Sequence, residues 1–261
     1  MEQSKKARSF TLIIMALLFV STPLALHAQF GPYSDPARAP QARSQEELDA
    51  FLELRSATEA QEIIQLVNAF AARFPNSVFL DAAYQEQALA YQRLGNFSAS
   101  VSAGEKSLQA NPDNIKMLLA LATIIANSPA QTPNRAKLLT EAEDYAHHAL
   151  EHIETSRPPK QIPMEQWLRD KREMQSQAHE ALGVLSLDRG QAQAAATEFE
   201  AGVAFSANPD GTHFFRLGVA LALAGKVADA EKNLQHAKEL GPDAVAKLAS
   251  EQMEKLHHET K

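Results

Sequence analysis

Apolar residues recur along this chain in steps of three and four, and Gly, Pro and short polar turns break the steps at intervals. The segment 211–244, GTHFFRLGVALALAGKVADAEKNLQHAKELGPDA, shows the pattern best. Phe214, Leu217, Gly218 and Leu221 fall on one face of a predicted helix. Ala230, Leu234 and Ala237 do the same on a second. Gly225 stands between them, where a helix end needs a residue that tolerates positive φ. Gly218 and Ala230 are small, which lets two helix axes come close. Pro242 follows the second run and stops it. One such hairpin cannot bury its apolar stripes alone, so it requires stacked neighbours.

The neighbours are present. Segment 81–114 carries Tyr84, Ala88, Tyr91, Gly95, Phe97 and Pro112 at the spacing of the first segment, and Leu108 at offset 28. It departs from that pattern at Gln87, Ser100, Gly104 and Ser107, where larger apolar residues or alanine are usual. Segment 176–209 shows Leu182, Gly183, Leu187, Gly190, Ala195 and Phe199. Its proline arrives two residues late, which predicts a slightly longer second helix. A weaker unit, 115–155, opens with Leu118, Leu121, Ala122 and Ile125. After about eight extra residues that include SPAQTP, it resumes with Leu139, Ala142, Ala146, Ala149 and Leu150. A degenerate pair is expected at 44–76, opening on Ser44 as an N-cap and ending in RFPNS. A second interruption, SRPPKQIP at 156–163, precedes one long predicted helix over 164–188 that holds the lone Trp167. A capping helix over 244–256 is expected to cover the last apolar stripe, with His257 and His258 on a frayed tail.

In segment 211–244 the positions of Phe214, Leu217, Gly218, Leu221, Gly225, Val227, Ala230, Leu234, Ala237 and Pro242 resemble the tetratricopeptide repeat (TPR), two antiparallel helices recurring every 34 residues. The resemblance covers roughly residues 44–244. It implies an all-α fold, a right-handed α-solenoid of four to five antiparallel helix pairs. It also implies a concave face, lined by the first helix of each pair, that binds other chains. Carried over by repeat position, the groove candidates are Gln85, Leu89, Gln92 and Arg93 in one unit, and Lys116, Leu119 and Thr123 in the next. Further along they are Gln177, Glu180, Val184, Leu187 and Asp188, then Thr212, Phe215, Val219 and Leu223. The mixture of apolar residues and Gln suits an extended or helical peptide held by apolar anchors. Phe215 is either the strongest anchor or a residue packed against the capping helix. The repeats that clamp a terminal carboxylate use Lys and Asn where this chain has Gln85, Leu89, Leu119 and Thr123, so that chemistry is not expected. RFPNS followed by Ala83 and Tyr84 is also similar to the helix-pair repeats of bacterial outer-membrane assembly lipoproteins and cell-division coordinators.

The N-terminus changes the expected location. Lys5, Lys6 and Arg8 precede the uncharged run FTLIIMALLFV, and LALHAQF follows Pro23. Basic region, apolar region and small residues come in the order of a secretory signal, with cleavage expected after Ala28. The alternative is an uncleaved anchor, since the uncharged stretch of about 17 residues reaches the lower limit for spanning a bilayer. Residues 29–43, QFGPYSDPARAPQAR, read as a flexible linker. The chain has no cysteine, which excludes disulfides and a lipid-modified mature N-terminus. An exported protein of this kind suits a bacterial periplasm.

Charge limits the partners. The formal charge is −7, and removing the leader makes it −9. Without a basic block the chain is a poor nucleic-acid binder, because phosphate neutralisation needs clustered Lys and Arg. Membrane contact is expected only through an uncleaved N-terminal segment. The sequence holds no GxSxG, P-loop, GxGxxG or HExxH motif. His147, His148 and His152 form HHxxxH, and His148 and His152 sit one helical turn apart, a zinc-chelating spacing. Neither Glu143 nor Glu151 offers a clear third ligand, so these read as solvated histidines and no metal or cofactor is expected. The function expected is a protein-binding scaffold or adaptor in the cell envelope, not an enzyme. The alternatives are a membrane-anchored subunit of an envelope assembly or secretion machine, and a metal protein or enzyme built on the histidines.

Overall fold

The computed structural model describes residues 41–158 and 162–259; the leader and most of the linker lie outside them. Among the described residues there are eleven α-helices and no strand. They are α1 (Gln45–Ser56), α2 (Ala60–Arg73), α3 (Leu80–Arg93), α4 (Phe97–Ala110), α5 (Ile115–Ala126) and α6 (Arg135–Thr155). The remainder are α7 (Met164–Asp188), α8 (Ala192–Phe205), α9 (Gly211–Leu223), α10 (Val227–Leu240) and α11 (Asp243–Glu259). Each helix packs on the next in sequence, and first helices also meet later elements: α7 lies on α5, and α11 on α9. The result is an all-α solenoid of antiparallel helix pairs.

Local chemistry sets the ends of the helices. Ser44 accepts from the Glu47 amide at 3.2 Å, Asn96 from Ala99 at 3.2 Å and Asn114 from Met117 at 3.1 Å, each satisfying an orphan donor of a first turn. Gly95, Gly190 and Gly225 occupy the same place in three repeats, with φ of 69°, 73° and 77°. That left-handed conformation reverses the chain between the two helices of a pair, and glycine adopts it without a Cβ penalty.

Close approach of helices follows from small residues. A Cβ on Gly183 would lie 2.5 Å from the Phe199 ring, and one on Gly218 would lie 2.8 Å from Leu234 Cγ. The departures at 81–114 have the same logic. A Cβ on Gly104 would lie 2.7 Å from Leu121. Ser100 and Ser107 are fully buried, and each hydroxyl donates at 2.8 Å to a carbonyl of α3, on Ala88 and Asp81. Buried Gln87 donates at 2.8 Å to Asn68 Oδ1 on α2. Each polar departure is thus satisfied by a hydrogen bond to a neighbouring helix.

The late proline does not lengthen α8, which has 14 residues like α4 and α10; it lengthens the connection to α9 instead. The insertions lengthen α6 to 21 residues and α7 to 25. Their extra turns bury Trp167 and Met174 against Ile115, Leu118, Leu119 and Ile153. At the N-terminal end α1–α3 hold a separate aromatic core, with Phe51 stacked on Phe79 at 4.3 Å. At the other end α11 buries Val245, Ala249 and Leu256, and His257 and His258 continue its helix rather than fraying.

Candidate functional site

The face carried by the first helices, α1, α3, α5, α7 and α9, is where the expected groove residues fall, and the structure splits them into two groups. Gln85 and Leu89 on α3 are half-buried, and Gln92 and Arg93 are exposed. Arg93 also donates at 3.1 Å to the Thr58 carbonyl, which ties the end of α3 to the α1–α2 turn. Leu119, Val184, Leu187, Phe215 and Val219 are instead core side chains. Leu119 is covered by the extra turns of α7, in one cluster with Trp167, Met174 and Ala178. Phe215 is only 3% exposed and belongs to the core that α11 closes with Val245, Ala249 and Leu256. Phe215 is therefore packed in the free chain. The late elements α7 and α11 take apolar surface that a bare repeat would leave open.

Glu180 is buried as well, and its chemistry is electrostatic. Its Oε2 accepts from Arg216 Nη1 at 2.6 Å, joining α7 to α9. Its Oε1 has no hydrogen-bond partner among the described residues. Beside it, Asp210 and His213 form a capping box at the start of α9. The His213 hydrogen bond, reinforced by the amides of the first turn, holds the Asp210 carboxyl down at about 2 against the opposing effect of burial. Burial disfavours the His213 imidazolium, but the bond to Asp210 and the charges of Glu180 and Asp210 outweigh it and raise its pKa.

A similar set of charges joins the first helices of the N-terminal half. Arg55 on α1 pairs with Glu86 on α3 at 2.7 Å. Lys116 on α5 feels both, together with Asp170 on α7. Burial brings the Lys116 ammonium down to about 8, with repulsion from Arg55 adding to the effect. Burial also pushes the Asp170 carboxyl up, against the attraction of Arg169 and Lys116. Perturbed, partly desolvated charges beside accessible Gln85, Leu89 and Gln92 mark this half as the better candidate surface.

Of this cluster the repeat pattern flags only Lys116. Glu86 and Arg216 each sit one place after a groove position, so attention to neighbouring positions finds them. Arg55 lies in the degenerate pair and Asp170 in turns of α7 that precede the repeat, and no repeat position identifies either. Elsewhere, His148 and His152 approach a residue from another element, Asp113 in the α4–α5 turn. His147 is exposed and stands apart from that group.

Glycine turns at three equivalent places and small residues beneath Phe199 and Leu234 are the physical content of the repeat. A solved structure of the MamA RS-1 ArsTM double mutant superposes on it with a TM-score of 0.56, over 81% of this chain and 98% of that one, at 12% identity. This is the tetratricopeptide fold. TTC0263, a thermophilic TPR protein in Thermus thermophilus, aligns over 81% of this chain and 97% of its own at 13% identity, with a TM-score of 0.47. At 12% identity what is shared with the MamA structure is the fold. No family model and no curated protein matches the sequence. Among the described residues no helix is long and apolar enough to cross a membrane.

Proposed function

We propose that this protein is a binding scaffold that holds a peptide or protein partner on the first-helix face of its N-terminal half. One observation carries the reading. Gln85, Leu89, Gln92 and Arg93 all keep some access to solvent on α3, beside the Arg55–Glu86 pair and the perturbed Lys116, while Leu119, Val184, Leu187, Phe215 and Val219 further along are packed. An apolar contact at Leu89 flanked by amides and charges suits a polar peptide with one apolar anchor. The acidic balance of the chain argues for protein and against nucleic acid as the partner.

We place the scaffold in the bacterial cell envelope, exported by its N-terminal segment into the periplasm. The support is the leader pattern together with the absence of cysteine. Cell fractionation followed by N-terminal sequencing tests the location. A mature chain beginning at Gln29 in the periplasmic fraction is expected; recovery of an intact N-terminus with the inner membrane would favour the anchored-subunit reading.

Binding is tested by a photocrosslinking amino acid placed at Gln92 or at Gln109, an exposed position on second helix α4. A defined protein crosslinked from Gln92 and not from Gln109 is the expected result, with loss of that crosslink in Leu89→Asp. Equal capture from both positions would remove the first-helix face from the reading.

A further inference from the structure

We infer that Asp113, His148 and His152 form a binding site for a divalent transition-metal ion, of which zinc is the natural candidate. The histidines are one turn apart on α6, so their imidazoles share a face, and their rings meet edge-on with centroids 4.5 Å apart. Asp113 comes from the turn between α4 and α5 and brings its Oδ1 within 3.3 Å of His152 Nε2 and 3.7 Å of His148 Nε2. The ligand atoms of all three lie within 4.8 Å of one another.

Those spacings suit zinc. Tetrahedral ligands about 2.0–2.2 Å from the ion are separated from one another by about 3.3–3.6 Å. One carboxylate and two imidazoles therefore need only small side-chain rotations to reach that separation. Two neutral imidazoles with one carboxylate also form a donor set that borderline-soft divalent ions prefer over Mg²⁺ or Ca²⁺. The Asp113 side chain is 62% exposed and the histidines about a third, so an ion reaches the site from solvent without opening the core. Three protein ligands leave one coordination position for water or for a side chain of another molecule.

The site has a structural consequence independent of partner binding. Asp113 follows the second pair of helices and the histidines lie on the second helix of the third pair, so a bound ion links adjacent layers of the solenoid. The ion would select the folded chain and stabilise it by mass action. Its residues lie apart from the α3 surface of the proposed function, so the two readings fail separately.

The test is zinc chloride titrated calorimetrically into the full chain, purified without a histidine tag and stripped with chelator. One ion per chain is expected, with a rise in Tm that chelator reverses. His148→Ala/His152→Ala and Asp113→Asn should each lose both signals, whereas His257→Ala/His258→Ala should keep them. Cobalt(II) offers a second readout, because its ligand-field band in the visible should appear in the wild type and vanish in the same variants. Absence of stoichiometric binding, or binding and Tm shift retained without His148 and His152, would overturn the assignment.

Discussion

The two halves of the first-helix face contrast sharply. On α3 the repeat leaves Gln92 and Arg93 exposed and Gln85 and Leu89 half-buried; on α7 and α9 the matching positions bury Val184, Leu187, Phe215 and Val219 and leave Asp188 and Leu223 half-buried. The difference does not arise within the repeats, whose turns and small residues are alike at Gly95, Gly190 and Gly225. At α9 and α5 it arises from what is laid over the repeat. Helix α11 packs on α9, and the extra turns of α7 pack on α5. A position in a repeat therefore specifies a direction, and whether that direction meets solvent depends on elements outside the repeat.

The largest effect should separate core from surface. Phe215→Ala should cost about 3–5 kcal/mol, as for other buried Phe truncations. Leu89→Ala should cost less, about 1–2 kcal/mol, since Leu89 is only half-buried. Urea denaturation of both variants checks this, and similar losses would erase the contrast. Close packing predicts a second difference. Gly218→Ala should cost about 1–3 kcal/mol because its Cβ must displace Leu234, while Ala88 at the same repeat position carries a Cβ within the core. Thermal denaturation of Gly218→Ala and Ala88→Gly is the measurement, and an unchanged Tm for Gly218→Ala would contradict the packing argument.

The smallest effect is in pH, and its sign should differ between the halves. Lys116 titrates near 8 when folded and near 10.5 when unfolded, so the unfolded chain holds more protons in that interval. Its contribution to stability therefore rises with pH from about 8 to 10.5. His213 has a raised folded pKa, so its contribution is full below its ordinary 6.5 and is lost as pH rises through the folded value. Lys116→Met should flatten the alkaline rise, and His213→Gln should flatten the fall above pH 6.5, in stability measured across pH. Opposite assignments of the two slopes would show that the electrostatics of the halves are misread.

Much of the helix-pair order is legible from periodicity, because Phe214, Leu217 and Leu221 or Ala230, Leu234 and Ala237 repeat their spacing regardless of context. Glycine at Gly225 is legible for the same reason: only the backbone conformation of the turn is at issue. Phe215 is different. Its repeat position says that it leaves the helix on the first-helix side, but α11, in a later stretch of chain, packs on α9 and joins the core in which Phe215 is buried. Leu119 meets Trp167 by the same route, through turns of α7 inserted ahead of the repeat. Asp113 beside His152 illustrates the limit for polar sites, since a spacing motif within one helix carries no information about a ligand supplied by a turn 39 residues away.

The first-helix face is more open at α3 than at α9. Carbene footprinting of the folded chain, read by peptide mass spectrometry, tests it most directly. Strong labelling is expected at the end of α3, from Tyr91 to Leu94, with protection of α9 from Phe215 to Leu221. Labelling of α9 equal to or above that of α3 would contradict it.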